Sequence, residues 1–303
     1  MLAMSLAWIA AAGVLPASAQ TRLALKFEPG EVVRQEMLES TRIDVIPPND
    51  KKVYTTVVDQ RWFLEANTVK LVDDGGALVR EKFTRISVSI QLPPPVSKLF
   101  SVDSAKPMES TEKVENDMRA GFAQVIGKDW MLTFEPNGAI RSVALSDELS
   151  DVLVDNPQTG PLAETFTETG LRKLALQTTV TLPPEPVQPG DKWEQLDTKP
   201  FPEGKLITKR ICTYVGPVEN GLEKITVKLQ AKYEENKGAK QPTELTENGG
   251  DGEVFFDPKA GRIVRSKFTQ VLVMKMGLPD KQGTQRIKMV HTLLPAARDK
   301  AEK

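Results

Sequence analysis

From Arg22 to Leu294 the chain is a succession of apolar and β-branched runs, cut at short intervals by proline, glycine or asparagine. That punctuation leaves little room for long crossover helices and turns the chain back on itself. Antiparallel sheet built from hairpins is therefore expected, not βαβ units. Residues 22–27 read as a strand ended by Glu28-Pro29-Gly30-Glu31, and Val32 to Val45 and Lys52 to Glu65 read as the next two. Val69–Val72 and Ala77–Gln91 flank Asp73-Asp74-Gly75-Gly76. Glycine accepts positive φ there without a Cβ clash, which marks a hairpin. Leu92-Pro93-Pro94-Pro95 stops that run, and the later strands are Ile207–Val215, Glu223–Tyr233, Gly252–Phe256, Arg262–Met276 and Thr284–Leu294. Asn220-Gly221 signals another hairpin, and the polar, glycine-bearing residues 234–250 read as an exposed loop.

Two segments change period. Val114, Met118, Phe122, Val125 and Ile126 fall on one helical stripe, with Ser110 or Thr111 as N-cap and Gly127 as the stop. Between Ser146 and Thr178, Pro157 and Gly160-Pro161 interrupt a second helical stretch, after which Leu162, Phe166, Leu171, Leu174 and Ala175 share a face. A helix with one apolar side packs that side on a sheet. The expected fold class is α+β: a mainly antiparallel, curved, half-barrel-like sheet with two amphipathic helical segments on it. Along the chain this gives a leader (1–19), a β-rich unit with a helix over 110–126 (20–145), a helical connector (146–180), a second β-rich unit (181–295) and a charged tail (296–303).

An internal echo bears on that layout. Phe27-Glu28-Pro29-Gly30-Glu31 resembles Val187-Gln188-Pro189-Gly190-Asp191, and Phe134-Glu135-Pro136-Asn137-Gly138 resembles Phe256-Asp257-Pro258-Lys259-Ala260-Gly261, in the same order. Pro-Gly turns recur for steric reasons in any β protein. Two related β units and one continuous sheet both remain open on the sequence.

The N-terminus carries its own instruction. Leu6 to Leu15 is an apolar run of the length of a signal-peptide core; Pro16 breaks it, and Ala17-Ser18-Ala19 is a small-x-small cleavage site. Met1 to Ser5 lacks the usual basic residue. The run is shorter than the ~20 residues that span a bilayer. Export to the periplasm or beyond, with cleavage near Ala19 and no membrane span in the mature chain, is the expectation.

Charge and composition remove several functions. The 40 Lys+Arg and 41 Asp+Glu residues leave a net charge of −1, without the basic excess that nucleic acid demands. A single His and a single Cys exclude two-His metal sites, cysteine-rich zinc sites and intrachain disulfides. His291 sits in a strand with no local motif supplying a nucleophile and an orienting carboxylate. Cys212 reads as a small buried hydrophobe, with an intermolecular disulfide as its functional alternative. Glu247 to Glu253 fails the EF-hand spacing, because Gly249 and Pro258 fall where oxygen ligands belong. Paired glycines lack nucleotide-loop spacing, so no cofactor is expected.

What remains is geometric. Helices laid on a curved sheet can leave an apolar cavity. Met118, Phe122, Val125, Ile126, Phe166, Leu171 and Leu174 would line it from the helices, and Phe83, Ile86, Val88 and Ile90 from the sheet. These same side chains could instead fill the core completely. The Phe-Glu-Pro-Gly-Glu opening, the Val-x-Pro-Gly-Asp-x-Trp turn (187–193) and Phe-Asp-Pro-x-x-Gly-Arg (256–262) resemble a domain-of-unknown-function family of exported bacterial proteins. That family carries no established activity, so the resemblance transfers no functional residue. At the level of layout the chain is similar to periplasmic lipoprotein and lipid carriers, whose half-barrel sheet is plugged by helices. The sequence thus points to an exported, non-catalytic binding protein whose partner is a hydrophobic small molecule. Its alternative is an interaction module with a filled core, bound to an envelope protein.

Overall fold

A computed structural model describes residues 20–106, 110–155, 164–201, 203–238, 242–277 and 282–296. The leader 1–19, the tail beyond 296, and the helix breakers Pro157, Gly160 and Pro161 with Leu162 lie outside the described residues. Twelve strands pair antiparallel in one sheet: β1 (Val32–Ile46), β2 (Tyr54–Leu71), β3 (Ala77–Gln91), β4 (Leu99–Asp103), β5 (Asp129–Phe134), β6 (Ile140–Leu145), β7 (Lys192–Phe201), β8 (Gly204–Pro217), β9 (Glu223–Glu235), β10 (Thr243–Asp257), β11 (Arg262–Met276) and β12 (Gly283–Pro295). The spatial order is β6-β5-β3-β2-β1-β12-β11-β10-β9-β8-β7, with β4 paired to β3. Helices α1 (Lys113–Val125), α2 (Asp147–Asp155) and α3 (Glu168–Gln177) interrupt the series. The α+β, antiparallel reading holds, with strand far outweighing helix.

The junction between β1 and β12 joins the chain's beginning to its end. It runs in register from Gln35 opposite Pro295 to Ile46 opposite Thr284. Alternation then sorts the side chains. One face is wet and carries ion pairs across neighbouring strands: Arg34–Glu65–Lys82, Glu36–Arg61 and Lys224–Glu253. The other face carries Met37, Trp62, Phe83, Leu132, Tyr214, Val227, Val254 and Phe268, which form one core with the helices and with Val180, Leu182 and Val187.

The hairpin signals are realised. Asp73–Gly76 is closed by Val72 N–H to Gly76 O at 3.0 Å, with Gly75 at φ 83°. Asn220 and Gly221 both adopt positive φ. Each Pro-Gly turn places its glycine in the left-handed region and donates that N–H to a strand two or more elements along: Gly30 to Thr68 O and Gly190 to Tyr214 O. Helix α1 starts one to two residues later than the sequence suggests. Glu112 is its N-cap, while the Ser110 hydroxyl accepts from the Glu112 N–H and bonds the Glu115 carboxylate. The second helical stretch is two helices, and Thr167 caps α3 by accepting from Gly170 N–H at 3.1 Å.

Two expectations fail. Residues 22–27 are not a strand. They form an irregular strap across the ends of three turns, held by Thr21 to Val187, Leu25 N–H to Pro136 O and Lys26 N–H to Gly261 O. Strand β7, which carries Glu194, is the exposed edge of the sheet and needs no apolar alternation. The supposed loop 234–250 begins with the last two residues of β9 and ends with the first eight of β10. The inward positions of β10 there are occupied by Asn248, Gly250 and Gly252, so the apolar signal is missing, and the glycines let neighbours close in. A Cβ at Gly250 would fall on the Thr269 carbonyl, and one at Gly252 on the Phe268 ring. Gly250→Val is expected to lower stability by about 1–3 kcal/mol in urea unfolding, because the added volume meets backbone rather than a movable side chain.

Candidate ligand-binding site

Most of the predicted lining is packed solid. Met118, Phe122, Val125, Phe83, Ile86, Val88 and Phe166 are buried in the main core, with Ile90 and Ile126 partly buried against it. Only Leu171 and Leu174 reach a void, a 160 Å³ cavity beneath the strap.

A larger cavity of 710 Å³ lies on the same face of the sheet, past the C-terminal end of α3, lined by β7 to β12 and, from the described helices, by Gln177 alone. Its apolar wall is Leu206, Leu229, Phe268, Leu272, Ile287 and Met289, joined towards the strand ends by Phe201, Tyr233, Met274 and Met276. Register places these on one face: Phe268 lies opposite His291, Gln270 opposite Met289 and Leu272 opposite Ile287. None of the eleven residues singled out from the sequence lines it. Sheet curvature makes the cavity. From β7 to β12 is five strand steps, so a flat sheet would separate their side chains by ~24 Å at ~4.8 Å per step. Asp197, Lys199 and Phe201 of β7 nevertheless face the same volume as Gln285 to His291 of β12. The pairing of β10 changes at Gly250. Below it β10 pairs with β9, from Gly250 opposite Leu229 to Phe256 opposite Glu223. Above it β10 pairs only with β11, and the Asn248 side chain instead accepts from Ala231 N–H at 3.0 Å.

Polar groups gather where the cavity meets α3. Arg210 donates from Nη1 to the carbonyls of Leu176 and Thr179, both at 2.8 Å, closing the C-terminal end of the helix. Its guanidinium lies 5.5 Å from the Phe268 ring centre. Among the described residues it has no ion pair within 4 Å; burial lowers its pKa, and the charge of Asp197 works the other way. The Gln270 Nε2 is buried without an acceptor. His291 Nδ1 stands 4.0 Å from Glu39 Oε2, too far for a hydrogen bond. Burial, helped by the Arg210 charge, depresses His291 to about 4, so its ring is neutral at ordinary pH. Burial raises Glu39 above the usual carboxylate range, against a bond from Thr41 and the charge of Lys199. Cys212, 0% exposed and pushed up to about 12 by burial, is a packed hydrophobe. Among the described residues no group of three His, Cys, Asp or Glu side chains could hold a metal ion, and no helix is long and apolar enough to cross a membrane.

Fold and site together define a single-sheet β protein whose inner face carries, beyond the end of α3, an apolar, donor-ended cavity. No family model matches the chain and no curated protein is similar to it in sequence, so the family resemblance of its turn motifs has no counterpart there. Among solved structures it is similar to lipovitellin, described for its lipid–protein interactions (TM-score 0.48, 10% identity, 90% of this chain and 26% of that one). It is also similar to DynF from the dynemicin biosynthesis pathway of Micromonospora chersina (TM-score 0.20, 6% identity, 93% and 91%) and to a DUF1329 family protein from Desulfovibrio piger (TM-score 0.13, 8% identity, 84% and 83%). The chain spans about a quarter of the lipovitellin chain.

Proposed function

We propose that this chain is an exported, non-catalytic binding protein that holds one elongated hydrophobic molecule in the 710 Å³ cavity, with a hydrogen-bond-accepting or anionic end towards Arg210 and Gln270. What supports this most is the cavity itself. Its volume lies within the ~300–1,000 Å³ of small-molecule sites. It equals about two dozen water volumes at ~30 Å³ each, set against Leu, Ile, Met and Phe side chains. An acyl chain buries that wall and gains ~25 cal/mol for each Å² of apolar surface removed from water. The Arg210 cation and the unpaired Gln270 amide supply donors, so a carboxylate or ester end is the matching chemistry. A filled-core interaction module sits poorly with that volume.

The test uses the chain starting at Gln20 and a dansyl-labelled undecanoic acid. Saturable enhancement of dansyl fluorescence in the micromolar range is expected. Leu272→Glu, which sets a carboxylate in the apolar wall, should weaken it by at least about tenfold, the equivalent of ~1.4 kcal/mol. No saturable signal, or equal affinity in the variant, would sink the reading.

A further inference from the structure

The 160 Å³ cavity beneath the strap is separate from the large one and differs in chemistry. It is bounded by Met37, Leu64 and Val79 from the sheet, Leu171 and Leu174 from α3, and Leu25 from the strap. A dry apolar cavity of about 150 Å³ in another protein takes up benzene, so this volume suits a single small ring. Gln35, Thr68, Thr178 and Thr179 also line it, but two other polar groups stand out. Trp130 is 2% exposed, and its indole N–H is buried without a hydrogen-bond partner. Glu81, directly opposite Trp130 in the β3–β5 register, also lines the cavity and has no ion pair among the described residues. The indole N–H is close enough to act on that carboxyl as a donor and lower its pKa against the effect of burial, but it falls short of a well-formed hydrogen bond. A buried donor left unmade costs more than a typical hydrogen bond gains, so the pair is poised for a third group.

We propose that this cavity is a second binding site, for a small apolar molecule carrying one hydroxyl, which accepts from the Trp130 N–H and donates to the Glu81 carboxyl. The pairing follows from the donor and acceptor inventory. A hydrocarbon would leave both groups unmet. An ammonium cannot accept from Trp130. A carboxylate can accept from Trp130 but has no proton to donate to Glu81. Burial raises Glu81 to about 7, so its carboxyl is readily neutral, and a neutral acid also bonds a hydroxyl. The remaining charged groups at the cavity, Lys26, Glu31 and Arg262, sit at its rim and are engaged there: Lys26 with the Pro258 and Lys259 carbonyls, Arg262 with Glu31.

Phenol is the probe, with benzene as the control lacking the hydroxyl. Isotope-edited NMR of the chain from Gln20 should show phenol shifting the Trp130 indole N–H resonance, identified by its loss in Trp130→Phe. Phenol should bind at least about tenfold more tightly than benzene, the discrimination of one well-made hydrogen bond or more. Trp130→Phe and Glu81→Gln should each narrow that preference while thermal melting shows a folded protein. If Trp130→Phe fails to fold, Glu81→Gln carries the comparison alone. Leu272→Glu should leave phenol binding intact, which separates this site from the large cavity. Equal affinity for phenol and benzene, or an unmoved indole resonance because ordered water already satisfies the pair, would overturn the proposal.

Discussion

Phe83→Ala is expected to lower the unfolding free energy by about 3–5 kcal/mol in urea titration, the range for truncating a buried aromatic ring. Phe83 is 1% exposed, and its ring lies 4.7 Å from that of Trp130, 5.4 Å from Trp62 and 5.8 Å from Phe166. Those partners come from β5, β2 and the segment leading into α3. One ring therefore ties three strands to the helical layer, and its removal leaves a hole that rigid neighbours on three sides cannot close. The same substitution should leave dansyl-undecanoate affinity at the large cavity unchanged, because Phe83 is not part of its lining. A loss below about 1 kcal/mol would mean that the cluster is loosely packed. A large fall in fatty-acid affinity at full stability would return Phe83 to a ligand wall.

The contrast between those two outcomes shows what the sequence can disclose. Strand β11 was legible to the residue, Arg262–Met276, because Ile263, Phe268 and Leu272 sit on an inner face among charged outer positions. Helix α1 was legible from Met118, Phe122 and Val125. The period names the face a residue occupies and is silent on how far the sheet curls. Cavity residues such as Leu206 on β8 and Ile287 on β12 therefore carry no signal that separates them from ordinary core. One signal was available. The two helical segments read from the sequence cannot cover the inner face of a sheet this wide, so some apolar strand positions had to lack a helical partner. Met274, Met276 and Met289, flexible side chains on adjacent strands, mark where that shortfall falls. The first half of β10, ahead of the expected strand Gly252–Phe256, stayed hidden for the complementary reason. At Gly250 and Gly252 the backbone itself, not a side chain, fills the inner surface.

Stability as a function of pH should separate into two opposed limbs once either of two buried groups is replaced. Glu81 titrates at about 7 in the folded chain against 4.5 when exposed, so the folded state holds its proton over a range where the unfolded state has released it. Stability from this group is fullest below pH 4.5 and falls by about 3 kcal/mol as pH rises to 7. His291 does the reverse. It titrates at about 4 when folded against 6.5 when exposed, so its contribution is fullest above pH 6.5 and is lost, again by about 3 kcal/mol, as pH falls to 4. Between pH 4.5 and 6.5 the folded chain keeps the Glu81 proton while the unfolded chain keeps the His291 proton, and the two slopes cancel. Glu81→Gln should expose the rising limb and His291→Gln the falling one, to which the raised Glu39 adds in the same sense. Carboxylates held low by basic partners, Asp103 by Arg85 and Glu65 by Lys82, titrate alike in all three proteins and drop out of the differences. Urea unfolding of the wild type and both variants at steps from pH 4 to 7.5 measures this directly. Difference curves that cross over with opposite slopes are the expected result. Three parallel curves would show that neither group is buried in the form drawn here, and with that the carboxyl in the small cavity and the neutral imidazole in the large one would both be lost.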